Sequence, residues 1–230
     1  QPGLTVAEMR LRARRFAEAE ADYGRLIAAD GVASEPRYLL GMLLIQIGRN
    51  DQALAHLREA ARLAPDNPLC RRARGHASLA AARAEEAADA FGRLAVLRPD
   101  LGEAHFGQGN ALRDLGRVAD AIQAYRRAVA VDPKSPHARI NLGILLQGVA
   151  AYDEAVSVLR EAADLAPDSY AARYNLGYVL ALQRRFDEAA EAYRAALKLY
   201  AEAAASHLNL GSVLQHQHKV DEAIASYRRA

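Results

Sequence analysis

Three asparagines are suited to hold another molecule: Asn141, Asn175 and Asn209 recur at one constant interval along the chain. An asparagine amide both donates and accepts hydrogen bonds, so it can pair with a peptide bond whatever side chain the peptide carries. A row of such amides would hold a peptide by its backbone. The chemistry that this spacing indicates is noncovalent recognition of a polypeptide.

Residues for covalent or metal chemistry form no comparable pattern. His216 and His218 are separated by one residue and Cys70 is the sole cysteine, whereas a structural zinc site needs about four ligands. The sequence has no glycine-rich phosphate loop after a strand, and no serine, histidine and aspartate set on a scaffold used in nucleophilic catalysis. We therefore expect no catalytic residues, no metal, no cofactor and no enzymatic activity.

The elements that must position the asparagines follow from a repeat. Glycines stand at the same constant interval along most of the chain, at Gly41, Gly75, Gly109, Gly143, Gly177 and Gly211. An alanine follows each of these glycines at one fixed spacing, and a proline follows four of them at another. The period is 34 residues, and a fixed period of this length indicates a solenoid of helix–turn–helix units.

With the glycine counted as position 8, the units have definite bounds. Full units are 34–67, 68–101, 102–135, 136–169 and 170–203, the unit 204–230 is truncated, and 1–33 is a degenerate unit. Within each unit, apolar residues recur at three- and four-residue steps over two stretches, which predicts two amphipathic helices, A and B. We therefore predict an all-α fold in which residues 1–230 form a single array.

Composition narrows the classes of partner. The 30 basic and 28 acidic residues nearly cancel, so we expect no binding to nucleic acid, and no apolar run approaches the ~20 residues of a membrane span. A single cysteine excludes an internal disulfide and favours a cytoplasmic location, although a periplasmic one remains open. Because the chain begins without Met and its last unit is cut short, we expect a fragment of a longer protein.

One unit carries a recognisable family pattern. Tyr174 to Gly177, then Phe186 to Ala189, then Tyr193 and Ala196 resemble the tetratricopeptide repeat (TPR), and the resemblance extends over essentially the whole chain. It implies a right-handed superhelical solenoid with helix A lining a concave groove and helix B outside. It also implies a scaffold that binds a protein or peptide, without specifying the partner.

The resemblance gives the asparagines a location. They occupy position 6, which faces the groove in TPR arrays, and arrays similar to those of O-linked N-acetylglucosamine transferases stack such asparagines into a ladder that holds a peptide. We expect Asn141, Asn175 and Asn209 to bind the backbone, with Tyr174 and Tyr178 supplying apolar contacts. The alternative is that asparagine is simply frequent in the repeat at this position.

A second candidate site lies in earlier units. Some TPR domains clamp a C-terminal carboxylate with basic residues and asparagine, and Arg72, Asn110 and Arg113 could act in that way, although the unit 34–67 lacks the expected lysine and asparagine. Arg71 and Arg74 add to Arg72 a basic cluster that is either solvated or a site for an anion or an acidic peptide. A buried Arg74 would need an acidic partner, for which Glu103 is a candidate.

The leading hypothesis is thus a non-catalytic scaffold that binds a peptide in its groove. The alternative is the substrate-recruiting region of a larger, glycosyltransferase-like enzyme, and the full-length reading frame would discriminate between them. End-to-end self-association is a third expectation, because terminal repeats without a polar cap expose apolar surface.

Overall fold

The computed structural model describes residues 2–12 and 15–230, and the regular structure in these ranges consists of helices alone. The helices are α1 (Pro2–Arg12), α2 (Phe16–Ala29), α3 (Ser34–Gln46), α4 (Asn50–Leu63), α5 (Pro68–Ala80), α6 (Ala84–Leu97), α7 (Gly102–Asp114), α8 (Val118–Val131), α9 (Pro136–Gly148), α10 (Tyr152–Leu165), α11 (Tyr170–Leu182), α12 (Phe186–Leu199), α13 (Ala204–His216) and α14 (Val220–Tyr227). Odd-numbered helices are the predicted A helices and even-numbered ones the B helices. The all-α fold of paired helices is confirmed.

The helices group into two compact units, one ending at Ala124 and the other spanning Tyr125–Ala230, with the division inside α8. In the first unit, α1 and α2 bury Ala7, Ala19 and Tyr23 against α3, so the degenerate repeat packs like the others. In the second unit, B-helix residues such as Leu159 and Tyr193 are buried. None of the helices in the described part of the chain is long and apolar enough to cross a membrane.

The recurrent glycine is required by the close approach of the two helices in a pair. A Cβ atom at Gly143 would lie 2.5 Å from Cγ of Leu159 on the partner helix, which is closer than any carbon contact allows. The first unit contains a tighter case. Phe91 lies between Gly75 of its own repeat and Gly107 of the next, with ring atoms 2.7 Å and 2.6 Å from the Cβ positions of these glycines.

A basic residue at position 4 of the repeat caps the preceding turn. Arg71 Nε donates to the carbonyl of Pro65 at 3.1 Å, Arg173 Nε does the same to Pro167 at 3.0 Å, and His207 Nε2 lies 2.8 Å from the carbonyl of Ala201. These carbonyls follow the end of a B helix, where backbone acceptors lack partners within the helix. The position-4 side chain therefore orders the connection between repeats.

Candidate peptide-binding groove

In the second unit, the A helices α9, α11 and α13 pack side by side in sequence order. Tyr170, Tyr174 and Tyr178 are four residues apart on α11 and so lie on one face of that helix. The rings of Tyr170 and Tyr174 stack with centroids 5.6 Å apart, and the Tyr170 hydroxyl is 2.8 Å from Ser206 Oγ of α13. The first two tyrosines therefore join α11 to α13, whereas Tyr178 is 37% exposed and available to a ligand.

A cavity of about 190 Å³ opens beside Tyr178, between α11 and α13. Its walls include Leu182, Phe186, Ser212 and His216. The Phe186 ring stacks on the His216 imidazole with centroids 4.7 Å apart and planes at 5°. A cavity with aromatic and aliphatic walls suits an apolar side chain of a ligand.

Polar groups of α13 border the same cavity. The Asn209 amide and the Ser212 hydroxyl both line it. Such groups can pair with backbone amides of a peptide whose side chain enters the cavity. We name the face formed by α9, α11 and α13, with this cavity, the second-unit groove.

The three predicted asparagines have different environments within this groove. Asn209 Nδ2 donates to the Tyr174 hydroxyl at 3.1 Å, and Asn141 Nδ2 lies 3.4 Å from the hydroxyl of Tyr125. Asn175 Nδ2 instead donates to the carbonyl of Ala171 in its own helix, at 2.8 Å. The amides of Asn141 and Asn209 thus take part in packing between helices, whereas the described bond of Asn175 remains within its own helix.

The residue at position 24 of the preceding repeat explains the contrast between Asn141 and Asn175, whereas the bond of Asn209 goes to Tyr174 of α11. Tyr125 precedes Asn141 and Tyr193 precedes Asn209, and each tyrosine offers a hydroxyl near the amide. Leu159 holds the corresponding position ahead of Asn175 and offers no acceptor. Burial, together with the nearby Tyr174, raises the pKa of Tyr193, so its hydroxyl stays protonated at neutral pH.

The predicted residues of the first unit lie against acidic partners. Arg72 Nη1 is 3.7 Å from Glu103, whose carboxylate also lies 2.6 Å from His76 Nε2. Arg113 pairs with Asp114 at 2.8 Å, and Asn110 is half-buried on the same helix. These carboxylates offset the charge that Arg72 and Arg113 would present to a peptide terminus.

The expectation that Arg74 pairs with an acidic residue is confirmed, whereas Glu103 as that residue and a solvated cluster are wrong. Arg74 pairs with Asp89 of α6 at 3.0 Å and not with Glu103, because it lies on the side of α5 that packs against α6. The cluster is also not solvated as a whole, since Arg71 is buried and the side chain of Arg74 is only 16% exposed. Helical packing thus separates Arg71 and Arg74 from Arg72, although the three are near neighbours in sequence.

Phe186 lines the cavity of the second-unit groove, although the sequence predicts no role for it beyond the family pattern. It begins α12, and at position 17 of its repeat it lies outside the A helix, which carries the predicted groove positions. The aromatic at this position, one repeat after Tyr152, was the available signal.

Comparison with protein families gives matches along the array. A model described as "Tetratricopeptide repeat" matches residues 7–68, 140–200 and 183–230, and one described as "TPR repeat" matches residues 109–148. No curated protein sequence matches the chain significantly.

Several solved structures resemble the chain at low sequence identity. YrrB, described as a TPR protein with an unusual peptide-binding site, is 21% identical, with a TM-score of 0.70 over 86% of this chain and 97% of its own. A MamA fragment from Desulfovibrio magneticus is 21% identical, with a TM-score of 0.68 over 74% of this chain and 96% of its own. PilF of Pseudomonas aeruginosa is 17% identical, with a TM-score of 0.69 over 84% of this chain and 88% of its own. At these identities the likeness shows the fold alone.

Proposed function

Because the chain belongs to the tetratricopeptide repeat family, we propose that it is a non-catalytic scaffold that binds a peptide segment of another protein in the second-unit groove. The observation that carries this proposal is the cavity beside Tyr178, which is lined by Phe186, His216 and Asn209. An apolar anchor in that cavity would be desolvated on several sides, which is the arrangement that supplies most of the affinity in a peptide interface.

The position of Asn175 supports recognition of the backbone. Its amide has a second N–H and a carbonyl oxygen, and no bond from the described residues reaches that oxygen. Asn175 stands three residues before Tyr178 on α11, so the two side chains project from one side of the helix. A peptide could place one side chain in the cavity while its backbone pairs with Asn175.

A structural neighbour is consistent with this proposal. The description of YrrB assigns a peptide-binding site to that protein, which shares the fold over most of both chains. We extend from it only the general mode, a polypeptide bound by a TPR array. The substrate-recruiting, enzyme-linked alternative stays a prediction.

The test is a selection of binders from a random peptide library, followed by affinity measurements on variants. Tyr178→Ala should weaken the selected peptides by about 2 kcal/mol, the size of a central aromatic contact. Asn175→Ala should weaken them by about 1 kcal/mol, one hydrogen bond, without loss of thermal stability, because its described bond lies within its own helix. Leu199→Ala, on α12, is the matched control because Leu199 is similarly exposed and lies outside the cavity.

The outcomes separate the groove from other surfaces. Peptides that lose affinity with Tyr178→Ala and Asn175→Ala, and retain it with Leu199→Ala, would support the proposal. Peptides that bind all three variants equally would place the binding site elsewhere on the chain and would refute it.

A further inference from the structure

A second pocket lies in the first unit, between the turn after α4 and helices α5 and α6. It has a volume of about 330 Å³ and is bordered by the turn at Pro65 and Asp66, by Arg71 of α5, and by Arg93 and Val96 of α6. We call it the Arg71 pocket. The pocket combines two arginines with apolar residues.

Arg71 is a buried cation with one hydrogen-bond partner. The residue is 6% exposed, and its Nε donates to the carbonyl of Pro65 at 3.1 Å. Within the described residues, no other acceptor is bonded to its guanidinium. A guanidinium carries five N–H donors, so the Nη groups of Arg71 keep hydrogen-bonding capacity that a ligand in the pocket could use.

In the second unit, a buried arginine at the same position of its repeat has an acidic partner. Arg139 occupies position 4 of its repeat, is 7% exposed, and pairs through Nε with Glu161 at 2.9 Å. Arg93 occupies the position corresponding to Glu161 in the repeat that contains Arg71. Where the later repeat supplies a carboxylate, the earlier one supplies a second cation.

Neighbouring acids do not compensate for this exchange. Asp89 serves two arginines, since it lies 3.0 Å from Arg74 Nη2 and 2.8 Å from Arg93 Nε. Burial, followed by the charges of Arg93 and Arg74, lowers the pKa of Arg71, and the charges of Asp89 and Asp66 oppose this effect. Asp66 is the remaining carboxylate that borders the pocket.

Gly92 of α6 also borders the pocket. At this position of the repeat, other B helices carry an arginine that pairs with a glutamate on the next B helix, as Arg58 does with Glu86 and Arg160 with Glu188. Glycine removes that side chain, and Val96, one turn further on α6, is 82% exposed. The result is an apolar wall beside an uncompensated guanidinium.

We propose that the Arg71 pocket binds the carboxylate of an acidic peptide segment, with an adjacent apolar side chain of the same segment against Val96. A carboxylate matches the planar fork of a guanidinium and would take the place that Glu161 holds beside Arg139. The apolar wall favours a peptide over an inorganic ion, and Asp66 repels a doubly charged phosphate more than a singly charged carboxylate. This surface is distinct from the second-unit groove, so the two proposals stand independently.

The experiment is a titration of the isotope-labelled chain, followed by nuclear magnetic resonance at the amides of Gly92 and Val96. The probe is acetyl-Leu-Glu-Leu-amide, its neutral match is acetyl-Leu-Gln-Leu-amide, and inorganic phosphate is a third ligand. The acidic peptide should produce saturable shifts, and the glutamine peptide should bind about tenfold more weakly, the effect of one charged hydrogen bond. Phosphate should not compete with the acidic peptide.

Two variants make the test specific. Arg93→Glu recreates the arginine–glutamate pair of α9 and α10, so it should abolish binding of the acidic peptide while circular dichroism shows a folded chain. Lys134→Glu makes the same change of net charge at an exposed residue outside the pocket and should leave binding unchanged. The proposal would be overturned if the two peptides bound equally, or if phosphate caused the shifts and the acidic peptide did not. Undiminished binding of the acidic peptide to a folded Arg93→Glu chain would also overturn it.

Discussion

Replacement of Gly107 by alanine tests whether close packing around Phe91 limits the residue at position 6. The Phe91 ring is fully buried, with Gly107 on one side and Gly75 on the other. A Cβ atom at position 107 would lie 2.6 Å from Cε1 of Phe91, while the ring cannot retreat because its atoms already lie 2.7 Å from a Cβ position at Gly75. Gly107→Ala must therefore strain the ring or separate α6 from α7.

The expected magnitude follows from two opposing effects. Overpacking of a buried site costs up to about 3 kcal/mol, and the enclosed ring justifies the upper end of the range. Alanine in place of glycine inside a helix returns about 1 kcal/mol through its higher helix propensity. The difference between these two effects leads us to expect that Gly107→Ala lowers the free energy of unfolding by about 2 kcal/mol.

Urea unfolding followed by circular dichroism is the assay, and two further variants control it. Gly24→Ala lies in α2 with nothing within 4 Å of the new Cβ, so it should gain the helix-propensity term of about 1 kcal/mol without a packing cost. Phe91→Leu should relieve Gly107→Ala in a double-mutant cycle, because Leu57 and Ala73 form this pairing one repeat earlier. A Gly107→Ala chain as stable as Gly24→Ala would refute the reasoning.

Three further predictions concern titration and access. The Arg58 side chain, through its hydrogen bond, holds the pKa of Glu86 below its usual 4.5. This pair therefore stabilises the fold above about pH 4.5, and the stabilisation is lost as the pH falls through the lowered pKa. Glu86→Gln should flatten that part of a plot of stability against pH, and an unchanged plot would contradict the pairing. Burial raises the pKa of the Cys70 thiol, so a thiol reagent should react no faster than the chain unfolds, and immediate full labelling would show the burial to be wrong. Burial and the charge of Arg37 lower the pKa of His56, so its imidazole resonances should titrate with a midpoint below 6.5, and a midpoint at or above that value would count against its half-buried environment.

The helices could be predicted from the sequence because each repeat contains the complete pattern of small and apolar residues that forms a helix pair. Gly143 and Leu159 recur with every repeat as a small residue facing a large one, and their contact lies within one helix pair, so a single repeat is sufficient to infer it. The end of a B helix could be predicted for the same reason: the recurrent proline cannot continue a helix, and α10, which spans Tyr152–Leu165, ends before Pro167.

The environments of the site residues could not be predicted in that way, because they depend on contacts between repeats. Asn141 and Asn175 hold the same position, yet one lies near a tyrosine and the other bonds to its own helix, according to whether Tyr125 or Leu159 precedes it. The uncompensated charge of Arg71 likewise depends on the residue that a different helix places beside it. Family resemblance identifies which positions face the groove, whereas the hydrogen bonds and charge at such a position depend on the residue that a neighbouring repeat places beside it.

The enclosure of Phe91 has a consequence for recombination of these repeats. Phe91 belongs by sequence to the repeat 68–101, but one of the two glycines that accommodate it, Gly107, belongs to the next. A chimaera joined at residue 101 would give Phe91 a neighbour from another array, and an asparagine there, as at position 175, would place a Cβ where the ring now lies. The segment that can be exchanged without strain therefore extends into the following A helix, and crossovers should be tolerated after Gly107 more readily than at the repeat boundary.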